Sequence, residues 1–549
     1  MTEARTHDNP AARELQSAGD DKALELGDLL RQALDRIGKL ERKCAEYQKL
    51  VALLQEQNER LKRGLAGHKA ERFSSTDAQL SLGILQLALQ ANGAAPSDCP
   101  DPEDETQKVA EHERRKPVRK PIPEHVPRVP IEMIPEVVKR EGLDAFERIG
   151  EERREVLERR PASAVVVQLI YPKFVRKGRP DDEPTNVQVA PTVELPIERG
   201  LAGPTLLADT IVRRWADHQP LSRQEGILAR EGLELAKSTL CGWHETLADL
   251  AAPLVDAMFV DARSSPYLCA DATGVLVQAP ERCKVGHFWV LVAPGRHVLY
   301  RYSARHNSAA VDTLLSGYTG YLVADAHAVY DHLFRDGAVI EVACWSHCRR
   351  YWFSALESDP DRSKQALALI GELFRIERTV ADAPRKKREA VRDGRSRPLV
   401  GQFFQWCESQ RDEVLDQSPA ATAIGYALNQ RLALSRFLDD GRLPLHNNIS
   451  ELNLRRQVLG RRNWLFLGSD DGAKANTTFV SLLASCRLHD IEPLGYLRDL
   501  FCLLPSWPRH RVLELAPAYW QQTLEQVETQ HKLDANVFRR VTLGLPPLG

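Results

Sequence analysis

Two short segments of the 549-residue chain nearly repeat: "YLCADA" at 267–272 and "YLVADA" at 321–326. Each sets one aspartate, Asp271 or Asp325, into an otherwise apolar strand-like run. An ionised carboxylate in such a place is costly unless it is paired, hydrogen-bonded or bound to a cation. Two of them in neighbouring strands repel each other, and a hard divalent cation removes that penalty. The alternative is that each aspartate caps a following turn. A third acid lies in "LHNNISELNLRRQVLGRRNWLFLG" at 445–468. Here Asn448 has the type of an N-cap and Glu451 stands three residues on, the spacing of a reciprocal capping box. Arg455, at i+4, can pair with Glu451. The other reading makes Glu451 a third carboxylate beside a phosphate-binding surface of Arg455, Arg456, Arg461 and Arg462. Trp464 would then either stack on an unpaired base or sit in the core. The stretch alone leaves both readings open.

A further cluster is "CWSHC", with Cys344, His347 and Cys348. A closed zinc site needs four ligands, and no second cysteine or histidine pair follows nearby. No structural zinc is therefore expected. His347, Arg349 and Arg350 fit charge-assisted contacts to DNA phosphates better.

These groups need elements to hold them. "YLCADATGVLVQ", "GHFWVLVAPG" and "HVLYRYSA" are apolar runs between turn residues and predict an antiparallel meander. A helical piece, "SAAVDTLLSGY", precedes "GYLVADAHAVY", a buried strand of the parallel type. "AVIEVACWSHCRRYWFSAL" then reads as a strand running into a helix. The pattern is a mixed α/β sheet over 260–356, followed by a helical insertion over 357–440. The segment 441–505 returns to the site with helices, and 506–549 is a C-terminal extension.

Upstream, 201–250 reads as three helices, Thr205 to Asp217, Ser222 to Glu231 and Ser238 to Asp249, with a turn opened by Gly232. That suits a helix-turn-helix reading DNA through Lys237, Ser238, Thr239 and His244, or an ordinary helical packing unit. Residues 131–200 form a small mixed domain whose function is not legible. Residues 92–130 are Pro-rich and charged, a linker with a basic arm. Residues 20–66 carry apolar a and d positions, with Asn58 at an a position, over six heptads. This predicts a coiled coil and a homodimer or higher oligomer, against one long helix packed on its own domain.

Length implies two to four domains. No apolar run approaches the roughly 20 residues that a membrane helix needs, and the N-terminus has no apolar signal-peptide core. A cytoplasmic location without a membrane partner is expected. The ten cysteines follow no disulfide spacing. Net charge is only −2, so nucleic-acid binding must come from local basic patches.

The arginine-rich stretch, continued as "LHNNISELNLRRQVLGRRNWLFLGSDDGA", resembles the N-N-x-x-E-x-x-x-R…G-R-x-N-W-x-F-x-G-S signature of DDE transposases of the IS66 family of insertion sequences. "VACWSHCRRYW" is similar to the family's C-W-x-H-x-R-R block. "LADTIVRRWADHQPLSRQEGILAREGLELAKSTLCGW" and "SLLASCRLHDIEPLGYLRDLF" resemble its helical segments before and after the core. The resemblance implies a multidomain chain, α/β plus all-α, with a ribonuclease H-like core around Asp271, Asp325 and Glu451. It further implies two magnesium (or manganese) ions about 3.5–4 Å apart. The partners would be element ends and target DNA, possibly with element-encoded accessory proteins, in a bacterial, nucleoid-associated setting. The chain departs from the family in places. Asp271 is followed by Ala272, Thr273 and Gly274 where Glu-Thr-Pro is common, and Asp325 by Ala326 and His327 where Gly-Tyr is common. No cysteine lies between Cys99 and Cys241, where the family usually carries paired zinc ligands. These departures motivate the alternative, a catalytically inactive DNA-binding protein derived from a transposase.

Overall fold

The computed structural model describes residues 122–546, apart from 123, 125, 161–162 and 178–185. The expected coiled coil over 20–66 and most of the linker over 92–130 lie outside the described residues.

Strands β1 (Arg128–Glu132), β2 (Phe146–Arg160) and β3 (Ser163–Arg176) form one sheet, in the order β1-β3-β2. β1 begins within the stretch read as linker. Its Pro130 is tolerated because β1 is an edge strand, where one backbone N–H need not pair. β1 runs parallel and β2 antiparallel to β3. Val156, Val167 and Leu169 pack in one core with Val537, Phe538 and Val541 of a C-terminal helix, Val537–Leu543.

Helices α1 (Pro204–Trp215), α2 (Leu221–Arg230) and α3 (Lys237–Ala262) follow. The donors at the start of α1 need partners. Buried Glu158 supplies them, accepting from Leu206 N at 2.9 Å and Thr205 N at 3.4 Å. α3 runs 13 residues beyond the expected end at Asp249 (262 − 249), because buried positions recur at helical spacing through Leu254, Met258 and Ala262 despite Pro253.

The central sheet comprises β4 (Tyr267–Val277), β5 (Lys284–Ala293), β6 (His297–Ser303), β7 (Gly320–Ala324) and β8 (Val339–Ala343), in the order β6-β5-β4-β7-β8. β4, β5 and β6 form the antiparallel meander. β7 is parallel to both β4 and β8, with α4 (Ser308–Leu315) crossing before it. β6 is an edge, and an open edge invites foreign strands. Helix α7 (Asp470–Leu488) covers it: Tyr300 N donates to Ser481 Oγ at 2.7 Å and Val298 N to Ser485 Oγ at 3.1 Å. From β8 the chain enters α5 (Trp345–Ala355), and α6 (Asn448–Trp464) precedes α7. Between α5 and α6, Arg392 is buried and saturated, pairing with Glu377 at 2.7 Å and donating to the carbonyls of Asp440 and Leu443. Buried guanidinium is tolerated only when so partnered.

A separate compact unit comprises, among the described residues, Arg349–Gly371 and Gln402–Leu428. It is helical, with Trp352 against Trp406 and Tyr351 against Tyr426, ring centroids 5.4 Å and 4.6 Å apart. No helix among the described residues is long and apolar enough to cross a membrane.

Candidate active site

The two matched aspartates lie just past the end of the β4–β7 pairing. In the parallel pairing of β4 with β7, Cys269 stands opposite Val323. Asp271 and Asp325 each lie two residues beyond that pair. Asp271 is inside β4, whereas Asp325 follows the last residue of β7, a small correction to its expected place in the strand. Both are half-buried. Asp271 Oδ1 accepts from the next residue's N–H, Ala272, at 2.7 Å within the strand, which is not a turn cap. The two carboxylates bear on one phenol: burial first, then Asp325 and Asp271, pushes Tyr330 well above the usual tyrosine range.

Glu451 approaches through α6. This helix starts one residue earlier than the capping box requires. Its N-cap is Asn447, which makes no side-chain cap bond, so Glu451 is its fourth residue. The reason is that Asn447 is used elsewhere. Its Nδ2 donates to the carbonyl of Ala270, beside Asp271, at 2.8 Å. Its backbone N–H donates to Cys344 Sγ at 3.1 Å, and its Oδ1 is buried without a hydrogen-bond partner among the described residues. Ser346 Oγ donates to Asn448 Oδ1 at 2.9 Å. His347 Nε2 stands 3.6 Å from Glu451 Oε1. Burial chiefly raises the Cys344 thiol, with Glu451 adding to the shift. "CWSHC" is therefore a joint between β8, α5 and α6.

The four arginines of α6 separate by face. Glu451, Arg455 and Arg462 recur at spacings of four and seven and so share one side of the helix. Arg455 and Arg462 are exposed. Arg461 instead donates to the carbonyl of Gly274 in β4. Arg456 is half-buried on another side, where burial and the neighbouring Arg487 lower its pKa. Trp464 is buried, which fits its core reading and not the stacking one. Arg349 and Arg350 are exposed on α5, and Lys237, Ser238 and Thr239 are exposed at the start of α3. His244 corrects the expectation made for it. It is 3% exposed, its Nε2 is 3.1 Å from Thr210 Oγ1, and burial pushes its pKa down to about 3. It is a core histidine and cannot read DNA. The spacing Leu240, His244, Leu247, Ala251 already carried that signal.

Sequence reasoning missed an aromatic and imidazole wall beside the aspartates. Trp289 stacks on His306, centroids 4.8 Å apart, and meets Tyr330 edge-on at 6.2 Å. His306 lies 5.0 Å from His287 and 4.6 Å from His327, centroid to centroid. Burial, His327 and His287 lower the His306 pKa, and Asp325 opposes them. These residues come from β5 and from loops after β6 and β7, with no local spacing to betray them.

Oxygen donors suit a hard divalent cation. Asp271, Asp325 and the unpartnered Oδ1 of Asn447 supply such donors at adjoining positions. Among the described residues, no three His, Cys, Asp or Glu side chains stand together as a ready ligand set.

A mixed sheet of this order thus carries two acids just past its β4–β7 pairing and a third on a helix tethered to β4. Residues 199–475 match the Transposase IS66 family, and residues 53–131 match a region described as Transposase C of IS166 homeodomain. The uncharacterized protein y4hP of Sinorhizobium fredii is 28% identical over 507 residues, covering 86% of this chain and 89% of its own. A second protein of that organism, y4qI, also uncharacterized, is 31% identical over 428 residues, covering 73% of this chain and 78% of its own. The chain belongs to the IS66 family of transposases.

Proposed function

We propose that the protein is a DDE-type transposase that cuts the ends of its element and joins them to target DNA at Asp271, Asp325 and Glu451. The observation that carries this reading is the placing of Asp271 and Asp325 each two residues beyond the Cys269–Val323 pair of β4 and β7, both acting on Tyr330. The strand order, with an antiparallel meander followed by parallel strands, supports a ribonuclease H-like core.

Asp271 and Asp325, with Glu451 as the third acid, would hold magnesium or manganese. When bound, the ions supply Lewis acidity toward the phosphodiester. The chain's own contribution is orientation and charge. Asn447 fixes the start of α6 against β4 next to Asp271, and Glu451 would be presented from that helix. Arg455 and Arg462, on Glu451's side of α6, fit phosphate contacts that hold the strand. The exposed Lys237, Ser238 and Thr239, and separately Arg349 and Arg350, would make further phosphate contacts. The location is cytoplasmic in this reading, and residues 20–66 would pair copies of the chain.

A second reading has two observations in its favour. Glu451 faces His347 at 3.6 Å, and no three-ligand group is assembled among the described residues. On that reading the chain binds DNA without cutting it. Incubating the purified protein with DNA carrying candidate element ends and magnesium separates the two: nicking at the ends supports the transposase, and binding without nicking supports the inactive form.

A further inference from the structure

Arg456 lies five residues after Glu451, hence about 140° around the helix from it. It therefore faces a different part of the molecule. There it lines an open cavity of about 400 Å³ with Arg487, His218 and Asp490, with Leu459 and Leu483 among its apolar lining. The charge in this cavity is unbalanced: two guanidiniums and an imidazole meet one carboxylate. Among the described residues, neither Arg456 nor Arg487 has a side-chain hydrogen bond or ion pair. Yet Arg456 is half-buried, and Arg487 is near enough to disfavour its charge. Arg392, by contrast, is buried and saturated. A half-buried guanidinium beside a like charge and without a counter-ion is unfavourable, and an anion at the mouth of the cavity would relieve it. Two of the lining residues, His218 and Asp490, hold left-handed backbone at φ 58° and 53°. Such conformations are uncommon outside glycine and gather at ligand sites. The volume falls in the range of small-ligand sites, large enough for a nucleotide.

We propose that this cavity binds the phosphate of a nucleotide, with Arg456 and Arg487 donating to its oxygens and the Leu459 and Leu483 wall taking the sugar or base edge. A DNA strand is the source favoured by the chain's membership of a transposase family, on which that choice of source rests. The site is separate from the acid pair, so the strand would touch the protein at a second point away from the chemistry.

The test uses the full-length protein and two probes, sodium pyrophosphate in thermal melting and a fluorescein-labelled DNA duplex in anisotropy. Arg487 is exposed and unpartnered, so Arg487→Gln should fold normally; Arg456→Gln is the companion variant. Pyrophosphate is expected to raise the wild-type melting temperature and to raise that of either variant less. Duplex affinity should fall several-fold, and the slope of log affinity against log salt should lessen by about 1. Asp490→Asn, which removes the one carboxylate, should tighten both responses. Loss of the pyrophosphate response with unchanged duplex binding keeps the phosphate site and makes a free nucleotide its ligand. A wild-type protein that binds no duplex would count against the transposase reading, while the pyrophosphate arm still decides the cavity. Folded Arg456→Gln and Arg487→Gln proteins that match wild type with both probes overturn the proposal.

Discussion

Asn447 Nδ2 donates to the carbonyl oxygen of Ala270 at 2.8 Å, tying the start of the helix that carries Glu451 to the strand that carries Asp271. The tie is repeated further along. Arg461 donates to Gly274 of the same strand, and just past the helix Leu467 N donates to Leu276 O at 2.9 Å. Helix and strand are thus in fixed register along their length.

Asn447→Ala should test this tie. Both groups are fully buried, so removing the donor leaves the Ala270 carbonyl unsatisfied. The expected loss is about 1–3 kcal/mol in urea unfolding. Asn447→Asp, similar in shape but without the N–H, should lose stability as well. In folded protein near neutral pH, both should cut more slowly than wild type. Unchanged stability in both would mean the bond does not hold the helix.

The arginines of α6 should divide by face. Arg455→Gln and Arg462→Gln should weaken DNA binding, each reducing the salt slope by about 1, with no change in melting. Arg461→Gln should do the reverse, lowering stability by about 1–2 kcal/mol through loss of its bond to Gly274. Anisotropy across a salt series, paired with thermal melting, reads both effects.

His244 makes stability depend on pH. Its folded pKa, about 3, lies below the ordinary 6.5. Between those values the unfolded chain binds the extra proton, so the stabilisation is complete above about pH 6.5 and is lost as the pH falls toward 3. From about pH 7 to about pH 5 this amounts to roughly 2 kcal/mol. His244→Gln should be less stable near neutrality, with a flatter profile over that interval. A variant whose denaturation profile runs parallel to wild type would show that His244 does not titrate in this way.

Much of the core was legible because its signals are local. Alternating and continuous apolar runs between turn residues set β4 to β8, and the matched "ADA" segments marked Asp271 and Asp325 before any pairing was known. What escaped depends on contacts between distant residues. Asn447 and Ala270 are 177 positions apart, and no local pattern links them. The Trp289, His306 and His327 wall is assembled from separate elements. Residue type could not divide Arg455 from Arg461, because only the rotation of α6 against β4 makes one a surface charge and the other a tether. For His244 the type suggested a reader while the spacing pointed inward, and burial prevailed.

In the proposed function, Glu451 acts with Asp271 and Asp325 in strand cleavage. The most direct measurement is magnesium-dependent cleavage of end-bearing DNA by folded Glu451→Gln protein, beside Asp271→Asn and Asp325→Asn. Each change keeps shape and removes charge. The expected result is loss of cleavage in all three, with melting near wild type and DNA binding largely kept, since phosphate contacts come from the arginines. Near-normal cleavage by Glu451→Gln would contradict the claim and leave Glu451 a structural residue at the start of its helix.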